Sequence, residues 1–245
     1  MILPNYDDGS SPDRIRRSAA AAEELGFHSV WTTEHIVVGP DAVHPYGRVY
    51  DPFVTLGWIA GWTERVGLGT SIVILPLHNP FHVAKQVATL QELSAGRVTL
   101  GVGMGWYRDE FEFMGVRFEG RGRRADEMLR LMRALWNGEA HFDGDCWSYR
   151  DATSEPRPSP LPEIWVGGSS PLAVRRAREL GDVWHPSRGS DVAHVLSVKE
   201  QHPDLRVIPR TSPEHVDAML EAGAEGAVVT FADEAAMRDF AAAHL

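Results

Sequence analysis

Short apolar, β-branched runs alternate with helical segments along most of this chain, and that alternation constrains its fold more than any other feature. Parallel strands cannot be joined by tight hairpins, so each needs a crossover, usually a helix. Strands are predicted at Ile2-Leu3, Ser29 to Thr33, Val66 to Leu75 and Arg97 to Val102. A helix from Pro12 to Leu25 places Ile15, Ala19, Ala22 and Leu25 on one face and stops at Gly26. Further helices are predicted from Pro52 to Trp62 and after Asn79-Pro80. The rhythm breaks between Gly103 and Pro160. That stretch holds an acidic and aromatic segment, a basic turn (Arg121-Gly122-Arg123-Arg124), and a helix carrying Met128, Leu131, Met132, Leu135 and Trp136. A proline-rich connector runs from Pro156 to Pro162. Four shorter strands follow, at Ile164 to Val166, Asp182 to Trp184, Leu205 to Ile208 and Gly226 to Thr230. Helices accompany them at Pro171 to Leu180, Pro213 to Leu220 and Glu234 to Ala243, while Ser187 to His202 is only weakly patterned. Eight strands alternating with helices in 245 residues predict an α/β fold. The expected form is a closed (β/α)8 barrel, one domain over 1–245 with an insertion at about 104–162 after the fourth strand. A doubly wound open sheet is the competing architecture.

A net charge of −10 argues against nucleic acid and anionic membrane surfaces as partners, since either needs a basic face. The single cysteine, Cys146, can form no internal disulfide, so a cytoplasmic location is expected. No run approaches the roughly 20 apolar residues of a membrane span, and Met1 to Asn5 does not read as a leader.

In such a barrel the chemistry gathers where strands end at their C-termini. Those ends carry Thr33-Glu34-His35, Leu75-Pro76-Leu77-His78, the run Gly101 to Trp106, Gly167-Gly168-Ser169-Ser170, His185, Pro209-Arg210 and Phe231. Glu34 and His35 can work as a proton-transferring pair, His being the side chain that switches charge near neutrality; a strand-end His is equally a structural hydrogen-bonder. Gly101-Val102-Gly103-Met104-Gly105 lacks the third glycine of a dinucleotide fingerprint, but its bare backbone admits a flat ligand. Gly167-Gly168-Ser169-Ser170-Pro171, between a strand and a helix, is either a phosphate cradle helped by Arg175 and Arg176 or a plain helix cap. Arg121 to Arg124 is a solvated turn or faces a polyanionic tail. Trp31, Trp58, Trp62, Trp136 and Trp184 are expected in the core, and Trp106, at a strand end, is the tryptophan expected at the substrate. No histidine and carboxylate spacing matches a metal site, and no G-x-S-x-G elbow is present.

Several segments together resemble a known family: Trp31-Thr32-Thr33-Glu34-His35, Gly69-Thr70-Ser71-Ile72, Asn79 to Lys85, Ala88 to Arg97 and Leu100 to Trp106. Glu110-Phe111, Gly115, Arg121-Gly122, Asp126-Glu127, Gly167-Gly168-Ser169 and Gly181 to Trp184 continue the pattern. The chain resembles the bacterial luciferase-like oxidoreductases, in the branch that uses the deazaflavin coenzyme F420. The resemblance implies a TIM barrel with a non-prolyl cis peptide at Ser71–Ile72 pressing against the cofactor ring. It further implies Gly103, Met104 and Gly105 beside the ring, Gly167, Gly168 and Ser169 at its phosphate, and His35 near the reacting carbon. The implied reaction is hydride transfer between F420 and an organic small molecule. An FMN-dependent monooxygenase and a non-catalytic cofactor-binding barrel are the alternatives. A homodimer through the second and third helices is implied as well. Some sugar-oxidising relatives have an acidic residue where Trp106 stands, which speaks against a sugar phosphate. The first strand and the segment from Pro186 to Leu205 are shorter than in similar proteins, as in a trimmed variant or a chain begun downstream.

Overall fold

The strands close into a ring in the computed structural model, which describes residues 1–187 and 191–245. Ser29–Thr32 (β1) pairs in parallel with Gly67–Thr70 (β2), and Val98–Gly103 (β4) pairs with both β2 and Val73–Ile74 (β3). On the far side β4 pairs with Glu163–Gly167 (β7), and β7 with Val183–His185 (β8). The remaining staves are thin. Trp184 bridges Val207, and Arg210–Thr211 (β9) pairs with Val228–Val229 (β10). Ile2 N donates to Val229 O at 2.8 Å while Ile2 bridges Trp31, which completes the circle. The result is the expected (β/α)8 TIM barrel with a parallel wall.

Inward-facing residues explain how so narrow a barrel fills. Trp31 and Trp165 lie 4.4 Å apart between ring centroids; Trp31 stacks on His185 at 5.9 Å, and Trp165 lies tilted to it at 5.6 Å. Gly69 makes this possible, since a Cβ there would sit 2.2 Å from the Trp31 ring. Outside the wall, Pro12–Glu24 (α1), Pro52–Ala60 (α3), Pro80–Leu93 (α4), Arg121–Trp136 (α6) and Pro171–Leu180 (α7) bury their apolar stripes against the strands. Ser11, Asp51, Asn79 and Ser170 cap four of these helices through side-chain oxygens, each stabilising its helix by about 1 kcal/mol. Among the described residues no helix is long and apolar enough to cross a membrane.

The structure corrects several expectations. The run from Val66 to Leu75 is not one strand: β2 stops at Thr70, the Ser71–Ile72 peptide is cis, and Leu75–Leu77 turns as a 3₁₀ helix. The basic residues Arg121 to Arg124 form the first turn of α6 rather than a loop. The stretch before it contains a short helix, Arg108–Phe113 (α5), and a hairpin of Phe142–Asp143 (β5) and Ser148–Tyr149 (β6) precedes the proline connector. The weakly patterned Ser187 to His202 contains a helix, Val192–Gln201 (α8), while residues 188–190 lie outside the described residues. Trp58 stands 39% exposed on α3 instead of in the core. Val43–Tyr46 (α2) and Val216–Glu221 (α9) are short, and Glu234–His244 (α10) ends the chain as expected.

Candidate active site

The break at Ser71–Ile72 is held from several directions, and its supports define the site. From below, the Ser71 carbonyl accepts hydrogen bonds from Thr33 Oγ1 at 3.0 Å and Arg210 Nη1 at 3.2 Å. Asn5 fixes Thr33 in turn, accepting from its backbone N–H and donating to its carbonyl. Arg210 Nη2 donates to the Tyr6 hydroxyl at 3.0 Å. Its Nε is buried with no hydrogen-bond partner among the described residues, a donor left over beside the break. An unpaired buried donor of this kind is unfavourable unless a ligand satisfies it.

His185 Nδ1 donates to Ile208 O at 2.6 Å, which leaves Nε2 to accept from the Ser71 hydroxyl at 2.8 Å. Burial pushes the His185 pKa down to about 4, and the nearby Arg210 charge works in the same direction against the Ile208 hydrogen bond. The folded state therefore binds this proton less readily than the unfolded chain, so His185 contributes stability above pH 6.5 that is lost as pH falls toward 4. That contribution is about 3 kcal/mol. Urea unfolding measured at intervals between pH 7.5 and 4 is expected to show this loss, and His185→Phe to flatten that part of the profile. Equal slopes in the two proteins would remove His185 as the cause.

From above, Glu34 anchors the segment beyond the break. It is 4% exposed, and its Oε2 accepts the Ile74 N–H at 2.6 Å. His78 Nε2 lies 3.0 Å from both carboxylate oxygens. Burial draws the His78 pKa down, but the Glu34 hydrogen bond and the charges of Glu34, Asp51 and Glu110 outweigh it and hold the imidazole above its ordinary value. Glu34 is thus bonded to the His78 ring and committed to backbone. This is the geometry of an anchor rather than of a free proton carrier.

His35, next in sequence, points elsewhere. Its Nδ1 lies 2.9 Å from Glu110 Oε2 on α5. The other Glu110 oxygen accepts Ile36 N at 2.6 Å, so a carboxylate with no exposed surface fixes both the ring and the backbone that follows it. With Nδ1–H donated to Glu110, Nε2 is the working atom, and it has no partner among the described residues. Tyr46 and Trp106 flank the ring at centroid distances of 4.2 and 5.9 Å. Nothing in the sequence marks Glu110 as a site residue beyond its place in the motif Glu110-Phe111.

The glycines make room within the barrel wall itself. A Cβ on Gly103 would meet Ile72 Cδ1 at 2.5 Å, and one on Gly167 would meet Ile72 Cγ2 at 2.9 Å. The missing side chains of Gly103 on β4 and Gly167 on β7 thus leave the room that Ile72 occupies. Gly105, at φ +72°, is pressed against Ile74 and Phe111, and its carbonyl accepts from Arg121 Nε at 3.1 Å. Met104 beside it packs half-buried on the core. At the end of β7, Gly168 has φ +109° and gives its carbonyl to Trp184 Nε1. Ser169 Oγ lies 2.9 Å from Ser187 Oγ, and Ser170 caps α7. Arg175 and Arg176 do not face this turn: Arg176 pairs with Asp126, and Arg175 with Asp126 and Glu179.

This barrel belongs to a known family: residues 3–239 match the model of the luciferase-like monooxygenases, and the chain is a member of that family. An F420-dependent glucose-6-phosphate dehydrogenase of Kineococcus radiotolerans is 36% identical over 218 residues, 86% of this chain and 63% of that protein. The oxygenase component of a flavin-dependent trigonelline monooxygenase from Acinetobacter baylyi is 32% identical over 163 residues, 65% of this chain and 44% of that one. An F420-dependent secondary alcohol dehydrogenase, solved with an F420–acetone adduct, superposes with a TM-score of 0.69 at 21% identity over 84% of this chain and 68% of that one, a likeness of fold. The chain thus spans less than two thirds of the length of these curated relatives, and both F420-dependent and flavin-dependent proteins stand among them.

Proposed function

We propose that the chain is an oxidoreductase that transfers a hydride between the deazaflavin F420 and an organic small molecule. The observation that carries this reading is the Ser71–Ile72 segment braced by Thr33 and Arg210, together with a His35 ring oriented by Glu110 so that Nε2 is left over. The residues fit a flavin-like ring: the segment is locked by Thr33, Arg210, His185 and Glu34, and the orphaned Arg210 Nε awaits an acceptor. Ser71 and Ile72 would support the ring, with Gly103 and Gly167 seating Ile72 behind it, and Gly168 and Ser169 would hold the phosphate end. The cofactor, when bound, supplies the two-electron chemistry. His35 accepts a proton at Nε2 and can return it, Glu110 fixes its tautomer, and Trp106 with Tyr46 excludes water from the approach.

Wider coverage by the F420-dependent relative than by the flavin-dependent one favours F420. The latter supports a second reading, in which FMN takes the same seat for an oxygen-consuming reaction. Titrating the purified chain with F420 and with FMN, read by fluorescence, is expected to give saturable binding of F420 at the lower concentration. Tight FMN binding without F420 binding would reverse the order, and failure of both would leave a barrel without turnover. Association of two copies is supported by α3, which carries no charged residue and exposes Val54 and Trp58.

A further inference from the structure

The edge of the site next to His35 is apolar and fringed with carboxylates. Trp106 is 62% exposed, and Ile36 and Val37, which follow His35, and Val43, which opens α2, are each about 40% exposed. Tyr46 links the two sides, 4.2 Å from the His35 ring and 6.4 Å from Trp106. Scattered exposed apolar residues need no explanation, but a cluster around one reactive nitrogen does.

Carboxylates dominate the immediate surroundings of the cluster. Glu34 and Glu110 lie beneath it, and Asp41 and Asp109 lie beside Gly39 and Tyr107, with Asp41 accepting from the Tyr107 hydroxyl at 2.6 Å. The arginines that reach these loops are committed elsewhere. Arg48 donates to Ser10 O, Arg108 pairs with Glu119, and Arg121 donates to Gly105 O while stacking on Phe118. The cation with an open donor is Arg210, which holds the Ser71 carbonyl and the Tyr6 hydroxyl and whose Nε is assigned above to the cofactor.

We propose that this site takes an uncharged, apolar organic substrate, held by Trp106, Tyr46, Ile36 and Val37 with its polar reacting group toward His35, and that it rejects phosphorylated sugars. Apolar area removed from water supplies the affinity, and the acidic fringe raises the free energy of any bound anion. The inference rests on the oxidoreductase reading, since it names the substrate class of that site.

Calorimetric titration of the cofactor-free chain with 2-butanone, 2-hexanone, 2-octanone and 2-decanone tests it. The dissociation constant is expected to fall about two- to fourfold per added methylene. A terminal carboxylate, in 9-oxodecanoate, is expected to weaken binding about tenfold or more relative to 2-decanone, and glucose 6-phosphate is expected not to bind at millimolar concentration. Trp106→Ser, at a largely exposed position that the fold does not need, should weaken 2-decanone about tenfold while leaving Tm unchanged. Asp109→Asn should narrow the gap between ketone and oxo acid. Affinity indifferent to chain length, an oxo acid bound as tightly as the ketone, or glucose 6-phosphate bound more tightly than 2-decanone would overturn the proposal. The readout involves no cofactor. Normal F420 binding with a flat ketone series defeats this inference alone, whereas absence of cofactor binding defeats the enzymatic reading whatever the ketones do.

Discussion

Gly101→Ala is expected to destabilise the fold by about 3–5 kcal/mol, enough to shift the urea midpoint well below that of the parent or to prevent folding. The reason lies in the break of the third stave. A Cβ at position 101 would stand 1.8 Å from the Thr70 carbonyl oxygen, which is backbone and cannot rotate aside. Thr70 Oγ1 donates to Gly101 O at 2.7 Å and accepts from Gly101 N at 2.9 Å, so one hydroxyl replaces ladder bonds where β2 swings away from β4. Relief by moving β4 outward would break both bonds and loosen Ile72 from Gly103 and Gly167. Gly226→Ala is the control, because nothing lies within 4 Å of a Cβ there, and its midpoint should move by less than about 0.5 kcal/mol equivalent. A stable, cooperatively unfolding Gly101→Ala protein would mean that the break is far more plastic than these contacts allow.

That glycine shows where sequence reading reaches and where it stops. The helices with strong caps and an apolar stripe were legible: Asn79-Pro80 opens α4, and Val83, Ala84, Val87, Ala88 and Leu90 bury its inner face. In α8, by contrast, Val192, Val195 and Val198 stand among polar residues, and only Val195 and Val198 are buried, so the periodic signal is thin even though Asp191 caps it. The staves at Ile2 and Val207 are single bridges held by their neighbours' backbone, and so short an element carries no period of its own. The cluster of site residues at strand ends followed from barrel geometry, and His35 and Glu34 do sit there. Their division of labour did not follow, because it depends on partners 75 and 44 positions away, Glu110 and His78. The alternating glycines of β4 signal open space along the strand. Sequence shows that a side chain is missing but not what fills the gap, and here Ile72 fills it.

His35→Ala is expected to lower turnover by about 10²- to 10⁴-fold, the usual range for losing a placed general acid or base, with cofactor dissociation changed less than about threefold. The separation follows from the geometry. The ring seat is braced through Thr33, Ser71, His185 and Arg210, none of which touches the His35 ring, so its removal leaves the seat intact. Glu110→Gln sharpens the test. A glutamine can still accept the Ile36 N–H, but if its amide N–H₂ faces His35 Nδ1 it offers a donor where the carboxylate accepted. The imidazole would then carry its proton on Nε2 and lose the lone pair it turns to the site. Replacing an orienting carboxylate by its amide can impair catalysis with the framework unchanged. Turnover should fall about 10²-fold or more with a displaced pH profile, while cofactor binding and Tm stay close to the parent values. Full turnover in His35→Ala would place the proton on another group. Full turnover in Glu110→Gln with an unchanged pH profile would reduce Glu110 to a tether for the loop after His35.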